Sequence, residues 1–352
     1  MCFRQNVCMN ELDTSSEAVF YNALNAAQPG YKTLRKQYAR HGSWEKCWRW
    51  HGSGKDPERE AAALRGGGIG LVLNGEPGYP PLLAEIPNPP LGIYYKGALA
   101  AAGSTPAVAV VGTRKASAAG IDLAREFGSA LAAAGCAVVS GMALGIDAAA
   151  HAGTLEARGR TIAVLANGLD QPYPSSHGRL AGNIIESGGT MISEYPPGTP
   201  PFQKNFLQRN RLISGLAQAV VAIEVPERSG VLATARFAVE QNRDLFVVPG
   251  PVSHPNYEGS HRLIRSGAML AAGPRDVLAD LGFDPLPNPR PVIAATPAEE
   301  SVLGVMRATG RPLAIDEIIE AATLTSSMVN QTLTMLILKD AVREEGGRYA
   351  LR

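Results

Sequence analysis

The sequence predicts an α/β protein built around a doubly wound, mostly parallel sheet. Three observations carry that expectation. Short, continuously apolar runs recur between residues 107 and 248, segments of helical spacing separate them, and most of the runs end in loops rich in Gly, Ser or Asn. Continuous rather than alternating apolar runs mark strands buried on both faces, which is what crossover helices produce.

Taken in order, residues 107–111 form a strand stopped by Gly112, and 116–134 a helix closed by Gly135. Residues 137–139 and 161–165 are strands, with a helix over 146–158 between them. A helix at 175–187 leads to a short strand at 190–192. Helices at 205–216 and 230–242 then alternate with strands at 219–224 and 245–248, the last stopped by Pro249-Gly250. This is a Rossmann-like arrangement, whose ligands bind at the C-terminal strand ends.

Two proline-rich breaks flank this region. Residues 76–90 (EPGYPPLLAEIPNPP) cannot form an uninterrupted helix, because each Pro removes an amide donor and clashes with the turn before it. Before this break, 17–27, 31–40 and 44–50 read as short helices. The glycine cluster 66–70 reads as a loop and does not match a strand–loop–helix phosphate fingerprint. The second break, 284–297, is a linker by composition. After it, helices at 298–309, 315–322 and 326–339 precede short strands at 341–343 and 348–351 around Glu344-Glu345-Gly346-Gly347. Three helices and a hairpin make a winged helix. The expected organisation is therefore a small helical (SAM-like) domain over 1–75, a Rossmann-like domain with its lead-in over 76–282, a linker over 283–296, and a winged helix over 297–352.

The third helix of that module would be the recognition helix of a duplex reader, yet Lys339 is its only base. Residues 297–352 carry 6 basic and 8 acidic side chains. Duplex binding needs phosphate neutralisation, so the module reads as a protein-contact or regulatory domain.

Composition bounds the function. Hydrophobic residues make up 45% of the 352, enough for a large core and against intrinsic disorder. With 33 Lys+Arg against 32 Asp+Glu, the chain does not coat nucleic acid by bulk charge. No apolar run reaches the ~18 residues of a membrane helix, and the N-terminus lacks a signal-peptide core, so no membrane partner is expected. Cys2, Cys8, Cys47 and Cys136 are scattered, which disfavours a disulfide scaffold or zinc ribbon and fits a reducing cytoplasm. Two local stretches depart from neutrality. Lys32, Arg35, Lys36, Arg40, Lys46 and Arg49 surround a single acid, Glu45, and residues 199–214 hold Lys204, Arg209 and Arg211 with no acid.

The strand-end loops point to anions. Gly112-Thr113-Arg114-Lys115 follows the first strand of the series, Ser140-Gly141 opens the loop to Asp147, and residues 166–170 follow the third. Arg228-Ser229-Gly230 opens a helix carrying Thr234. Glycine admits close backbone approach, helix starts offer free N–H groups, and Arg114 adds a fork that matches phosphate oxygens. In any one loop Gly and Ser serve equally as turn or cap residues. Four loops together with Arg114 and the 204–211 bases favour phosphate. Lys204, Asn205, Phe206, Arg209, Asn210 and Arg211 combine bases and amides with an aromatic ring. Phe206 is either a stacking face for an unpaired base or a core anchor of its helix.

Catalytic signatures are lacking: there is no GxxxxGK[ST], HExxH or GxSxG. Asp147, Asp170, Glu194 and Glu224 have the chemistry of a base or metal ligand, but none has a nucleophile partner, and Asp147 reads as a loop tie. No cofactor and no metal is implied.

The segments VGTRKAS (111–117), SGMALGIDAAAH (140–151), TIAVLANGLDQPYP (161–174), SEYPPGTPP (193–201), NFLQRNRLISGL (205–216), RSGVLATARFAVEQNRDLFVVPG (228–250) and GSHRLIRSGAML (259–270) resemble the DNA-processing protein A (DprA, or Smf) family over about 76–282. The resemblance implies a non-enzymatic single-stranded DNA binding protein of natural transformation. Such a protein protects incoming strands, helps load a RecA-type recombinase, and works as a homodimer. By position it assigns Arg114, Lys204, Phe206, Arg209–Arg211 and the Ser229-Gly230 helix start to the DNA pocket. It assigns Leu263, Ile264 and Leu270 to the dimer surface. Three departures stand out: Leu144 where the family has Arg, Leu207-Gln208 where it has Pro-Arg, and His261 near the expected dimer edge. The competing reading is a nucleotide-processing enzyme like the lysine-decarboxylase-like phosphoribohydrolases. Those need a Glu soon after the glycines, whereas here the nearest acid, Glu240, lies far along the helix.

Overall fold

The computed structural model describes residues 16–99, 101–283, 296–309, 311–339 and 341–351. The chain forms two compact units, Met1–Asp284 and Pro285–Arg352.

The described residues of the first unit begin with four helices, α1 (Ser16–Ala26), α2 (Tyr31–His41), α3 (Trp44–His51) and α4 (Pro57–Gly66). Local chemistry sets their starts. Ser43 caps α3 by accepting from Lys46 N at 3.2 Å, and Asp56 caps α4 by accepting from Arg59 N at 2.8 Å, with Pro57 in the first turn. Helix α4 has no counterpart among the helices the sequence predicts, and the glycine loop expected over 66–70 is narrower, because Gly66 ends α4 and Gly70 begins a strand.

Nine strands follow: β1 (Gly70–Leu73), β2 (Gly92–Gly97), β3 (Ala107–Gly112), β4 (Ala137–Ser140), β5 (Thr161–Leu165), β6 (Thr190–Ser193), β7 (Ala219–Ile223), β8 (Asp244–Val247) and β9 (Met269–Leu270). Their order is β1-β2-β6-β5-β4-β3-β7-β8-β9. From β6 to β9 every pair is parallel, while β1 and β2 add an antiparallel edge. The six parallel strands expected from the sequence are β3 to β8. The additional strands β1, β2 and β9 sit at the two edges, where the partner strand, not local propensity, makes the strand.

The intervening helices are α5 (Pro81–Ala84), α6 (Ala101–Ser104), α7 (Ala118–Ala133), α8 (Ile146–Glu156), α9 (Gly178–Glu186), α10 (Gln203–Gly215), α11 (Val231–Glu240), α12 (Glu258–Arg265) and α13 (Pro274–Asp280). Ser117 caps α7 by accepting from Gly120 N at 3.0 Å. The sheet is covered on both faces. One core joins β3, β4, β7 and β8 to α10 and α11. The other joins the N-terminal helices, through Tyr21, Leu34, Trp44 and Leu64, to Tyr94, Ala163, Leu165 and Met191 of the sheet. The N-terminal helices thus share a core with the sheet they cover.

The second unit contains α14 (Pro297–Thr309), β10 (Leu313–Ala314), α15 (Ile315–Ala322), α16 (Ser326–Leu338), β11 (Val342–Glu345) and β12 (Arg348–Leu351). Its antiparallel sheet runs β10-β12-β11, which completes the expected winged helix. Val302, Leu303, Ile318, Val329, Leu333 and Leu336 fill its core. Lys339, the one base of the recognition segment, is held by the buried Glu299 at 2.6 Å.

Candidate nucleic-acid interface

The parallel strands point their C-terminal ends to one edge, and the loops there are tied together by their own backbone. Gly112 ends β3 in a space with no room for a side chain: a Cβ would lie 2.2 Å from Ile223 O. Thr113 N donates to Glu224 O at 3.1 Å, and Thr113 O accepts from Ile146 N at 3.3 Å. Gly145, at φ +80°, packs against the same turn, and a Cβ there would lie 2.4 Å from Thr113 O. The loops after β3, β4 and β7 therefore form one rigid shelf, from which Arg114 and Lys115 project into solvent.

Buried carboxylates brace this shelf. Glu224 accepts from Ser117 Oγ, from Ser117 N at 2.9 Å and from Asn256 Nδ2 at 2.8 Å. Burial alone would raise its pKa, but these hydrogen bonds prevail and hold it below the usual Glu value. Asp147 accepts from Gly141 N at 3.1 Å and Ala143 N at 3.3 Å, which is the expected loop tie. Burial lifts its pKa against the opposing pull of Arg209. Asp170 accepts from Gly198 N at 2.9 Å, and Glu194 holds Arg211 at 2.6 Å. Each of the four acids is thus engaged in structure. Among the described residues no cluster of three His, Cys, Asp or Glu is placed to hold a metal.

Helix α10 supplies the chemistry over the shelf. The Phe206 ring, half-buried, has the Arg114 guanidinium 5.0 Å and the Arg209 guanidinium 5.8 Å from its centroid. Tyr173 meets it edge-on at 5.7 Å. Tyr173 is exposed and was not singled out in the sequence, where the only signal was its place in Pro172-Tyr173-Pro174 beyond β5. Leu144, at the position where the family resemblance leads one to expect Arg, is 51% exposed on the shelf. Asn210 Nδ2 donates to Gly230 O at 3.2 Å and links α10 to the start of α11. Ser229 Oγ accepts from Val231 N at 3.2 Å, and Gly230 faces open space.

The candidate residues divide into two groups. Arg114, Lys204, Phe206, Asn210, Ser229 and Gly230 are reachable from solvent. Thr113, Ser140, Gly141, Asn205, Arg209 and Thr234 are buried. Arg209 is 4% exposed, and its Nη1 donates to Gly141 O at 2.8 Å and to Val164 O. Burial pulls its pKa down to about 10, with Asp147 opposing that pull, so it stays charged at neutral pH. Its guanidinium is thus a structural cation beneath the shelf, 5.8 Å from the Phe206 ring centroid. Ser140 Oγ donates to Val110 O at 2.6 Å, and Asn205 Nδ2 to Ala166 O at 3.2 Å. Arg211 faces the other side of α10, paired with Glu194. Of the residues assigned to a dimer surface, Leu263 and Ile264 pack partly into the main core, while Leu270 is 51% exposed on the edge strand β9.

Comparison with known proteins agrees with this architecture. Residues 70–282 match the family model described as DNA recombination-mediator protein A, and residues 287–348 match the DprA winged helix domain. The chain is 44% identical over 205 residues to Protein Smf of Escherichia coli, covering 58% of this chain and 54% of that protein. It is 40% identical over 205 residues to DNA processing protein DprA of Streptococcus pneumoniae, covering 58% of this chain and 72% of the relative. The match thus spans about half the length of the Escherichia coli relative. Among solved structures, DNA processing protein A of Streptococcus pneumoniae aligns with TM-score 0.59 and 36% identity, over 68% of this chain and 81% of that one. DNA processing protein A of Helicobacter pylori, solved to describe its single-stranded DNA binding mode, aligns with TM-score 0.55 and 27% identity, over 60% and 95%. With its Rossmann-like sheet, its shelf of strand-end loops and its winged helix, the chain belongs to the DNA recombination-mediator protein A (DprA/Smf) family.

Proposed function

We propose that this protein binds single-stranded DNA on the strand-end shelf, without catalysis, and serves DNA processing in natural transformation and recombination. The observation that carries the reading is the Phe206 ring with the guanidinium groups of Arg114 and Arg209 at 5.0 and 5.8 Å from its centroid, at the C-terminal edge of the sheet. An aromatic face beside fixed cations suits an unpaired base and its phosphate, and a duplex hides its base faces. The Helicobacter pylori relative, described by its single-stranded DNA binding mode, supports the same reading.

In this reading a RecA-type recombinase receives the bound strand, and two copies pair along the α12–β9 edge through Leu263, Ile264 and Leu270. The exposed Leu270 on an edge strand favours that surface. The division into 1–75, 76–282, 283–296 and 297–352 remains the proposed organisation, with the cytoplasm as the site of action. Among the described residues no helix is long and apolar enough to cross a membrane. Affinity for oligo-dT, duplex and mononucleotide at two salt concentrations tests the function. Preference for oligo-dT with a clear salt slope is expected; equal affinity for duplex, or no slope, overturns it.

A further inference from the structure

A groove of about 850 Å³ lies on the far side of α10 from Phe206, between that helix, the end of β6 and the N-terminal helix α2. Its walls carry cations. Lys32, Arg35 and Lys36 stand at helical spacing on one face of α2, all exposed, and Lys204 faces them from α10. Among the described residues none of these four is in an ion pair. Among the described residues Glu194 is the one acid lining the groove, and Arg211 neutralises it at 2.6 Å. Rings line it too: Tyr31 lies under the Arg211 guanidinium at 5.8 Å, and Phe202, 47% exposed, lies 5.8 Å from Lys204 Nζ.

The groove and the Phe206 cluster lie on opposite faces of α10. Lys204, Gln208 and Arg211, at i, i+4 and i+7, face the groove, while Phe206, Arg209 and Asn210 face the shelf. Only the ~10 Å width of one helix separates the two. We propose that this groove is a second subsite for the same single strand, taking its phosphate backbone on Lys32, Arg35, Lys36 and Lys204 as it leaves the Phe206 cluster. The proposal rests on the single-strand reading above. It gives a purpose to the basic face of α2, which packing does not need: Leu34 is the only residue of that helix buried in the core.

The test uses the full chain, fluorescence anisotropy, and oligo-dT of about 5 and about 20 nucleotides, lengths bracketing one and several site sizes. The triple variant Lys32→Gln/Arg35→Gln/Lys36→Gln is compared with the wild type. For the long oligonucleotide it is expected to bind at least tenfold more weakly, with the slope of log K against log salt reduced by about 2, as three lost phosphate contacts require. For the short one its affinity stays within twofold, which also reports that the fold is intact. Wild-type affinity and slope for the long oligonucleotide, or equal losses at both lengths, overturn the subsite and leave the Phe206 site standing. If the wild type binds neither oligonucleotide, the single-strand reading falls and the subsite with it.

Discussion

Truncating Phe206 distinguishes a base platform from a helix anchor. The ring is half-buried in the free protein, with Arg114 at 5.0 Å, Arg209 at 5.8 Å and Tyr173 at 5.7 Å around it. If a base stacks on it, Phe206→Ala removes about 1–3 kcal/mol of binding, a loss of roughly 5- to 150-fold in Kd. The substitution takes away no charge, so the slope of log K against log salt should stay at its wild-type value. Phe206→Trp keeps a stacking face and should bind within a few-fold of wild type. Anisotropy titration of oligo-dT at three salt concentrations, with thermal melting to confirm folding, reads all of this. An Ala variant that melts lower but binds like wild type refutes the platform and leaves Phe206 an anchor. A loss accompanied by a fallen slope refutes it differently, because the ring would then have been acting by holding Arg114 in place.

Three further outcomes follow from the geometry. Arg114→Ala should weaken oligo-dT binding several-fold and lower the salt slope by about 0.7, one phosphate contact, with an unchanged melting temperature because the side chain is exposed; an unaltered slope contradicts its role. His151 is buried with its Nδ1 2.6 Å from Thr161 Oγ1, and burial pulls its pKa from 6.5 down to about 3. The unfolded chain therefore binds the extra proton between these values. The stability this provides is complete above pH 6.5 and is lost at up to ~1.4 kcal/mol per pH unit as pH falls toward 3. Urea unfolding at several pH values should show that slope flattened in His151→Gln, and an identical slope in the variant would assign it elsewhere. Leu270→Glu, at an exposed edge-strand position, should shift the protein toward monomer in sedimentation while its circular dichroism spectrum stays that of the folded chain, and an unchanged mass would rule out that edge as the dimer surface.

Much of this molecule was legible in its sequence. The strands β3, β5 and β7 are almost continuously apolar and β4, β6 and β8 largely so, because both faces of the sheet are buried, and the winged helix announces itself by helical periods followed by a glycine turn. The shelf of strand-end loops was readable as well, because a turn such as Gly112-Thr113-Arg114 has local requirements that residue types express directly. Edge strands and side-chain destinations were not readable in this way. The strand β1 exists because β2 pairs with it, and β2 because β6 does, across about a hundred residues of chain. Tyr173 reaches Phe206 of α10 from the segment beyond β5, and no spacing in the sequence encodes their meeting.

The four cations Arg114, Lys204, Arg209 and Arg211 look alike in the sequence, and only tertiary structure gave each its role. Arg209 is drawn inside because the carbonyls of Gly141 and Val164 need a donor there, and Arg211 turns to Glu194 across the helix. Arg114 and Lys204 remain in solvent, free to meet a phosphate. The sequence by itself determined the fold class, the shelf and the kinds of side chain gathered there, since these follow from periodicity and turn chemistry over short stretches. Which of those side chains face solvent was decided by burial and by hydrogen-bond demand from distant segments, and these come into being only when the chain is folded.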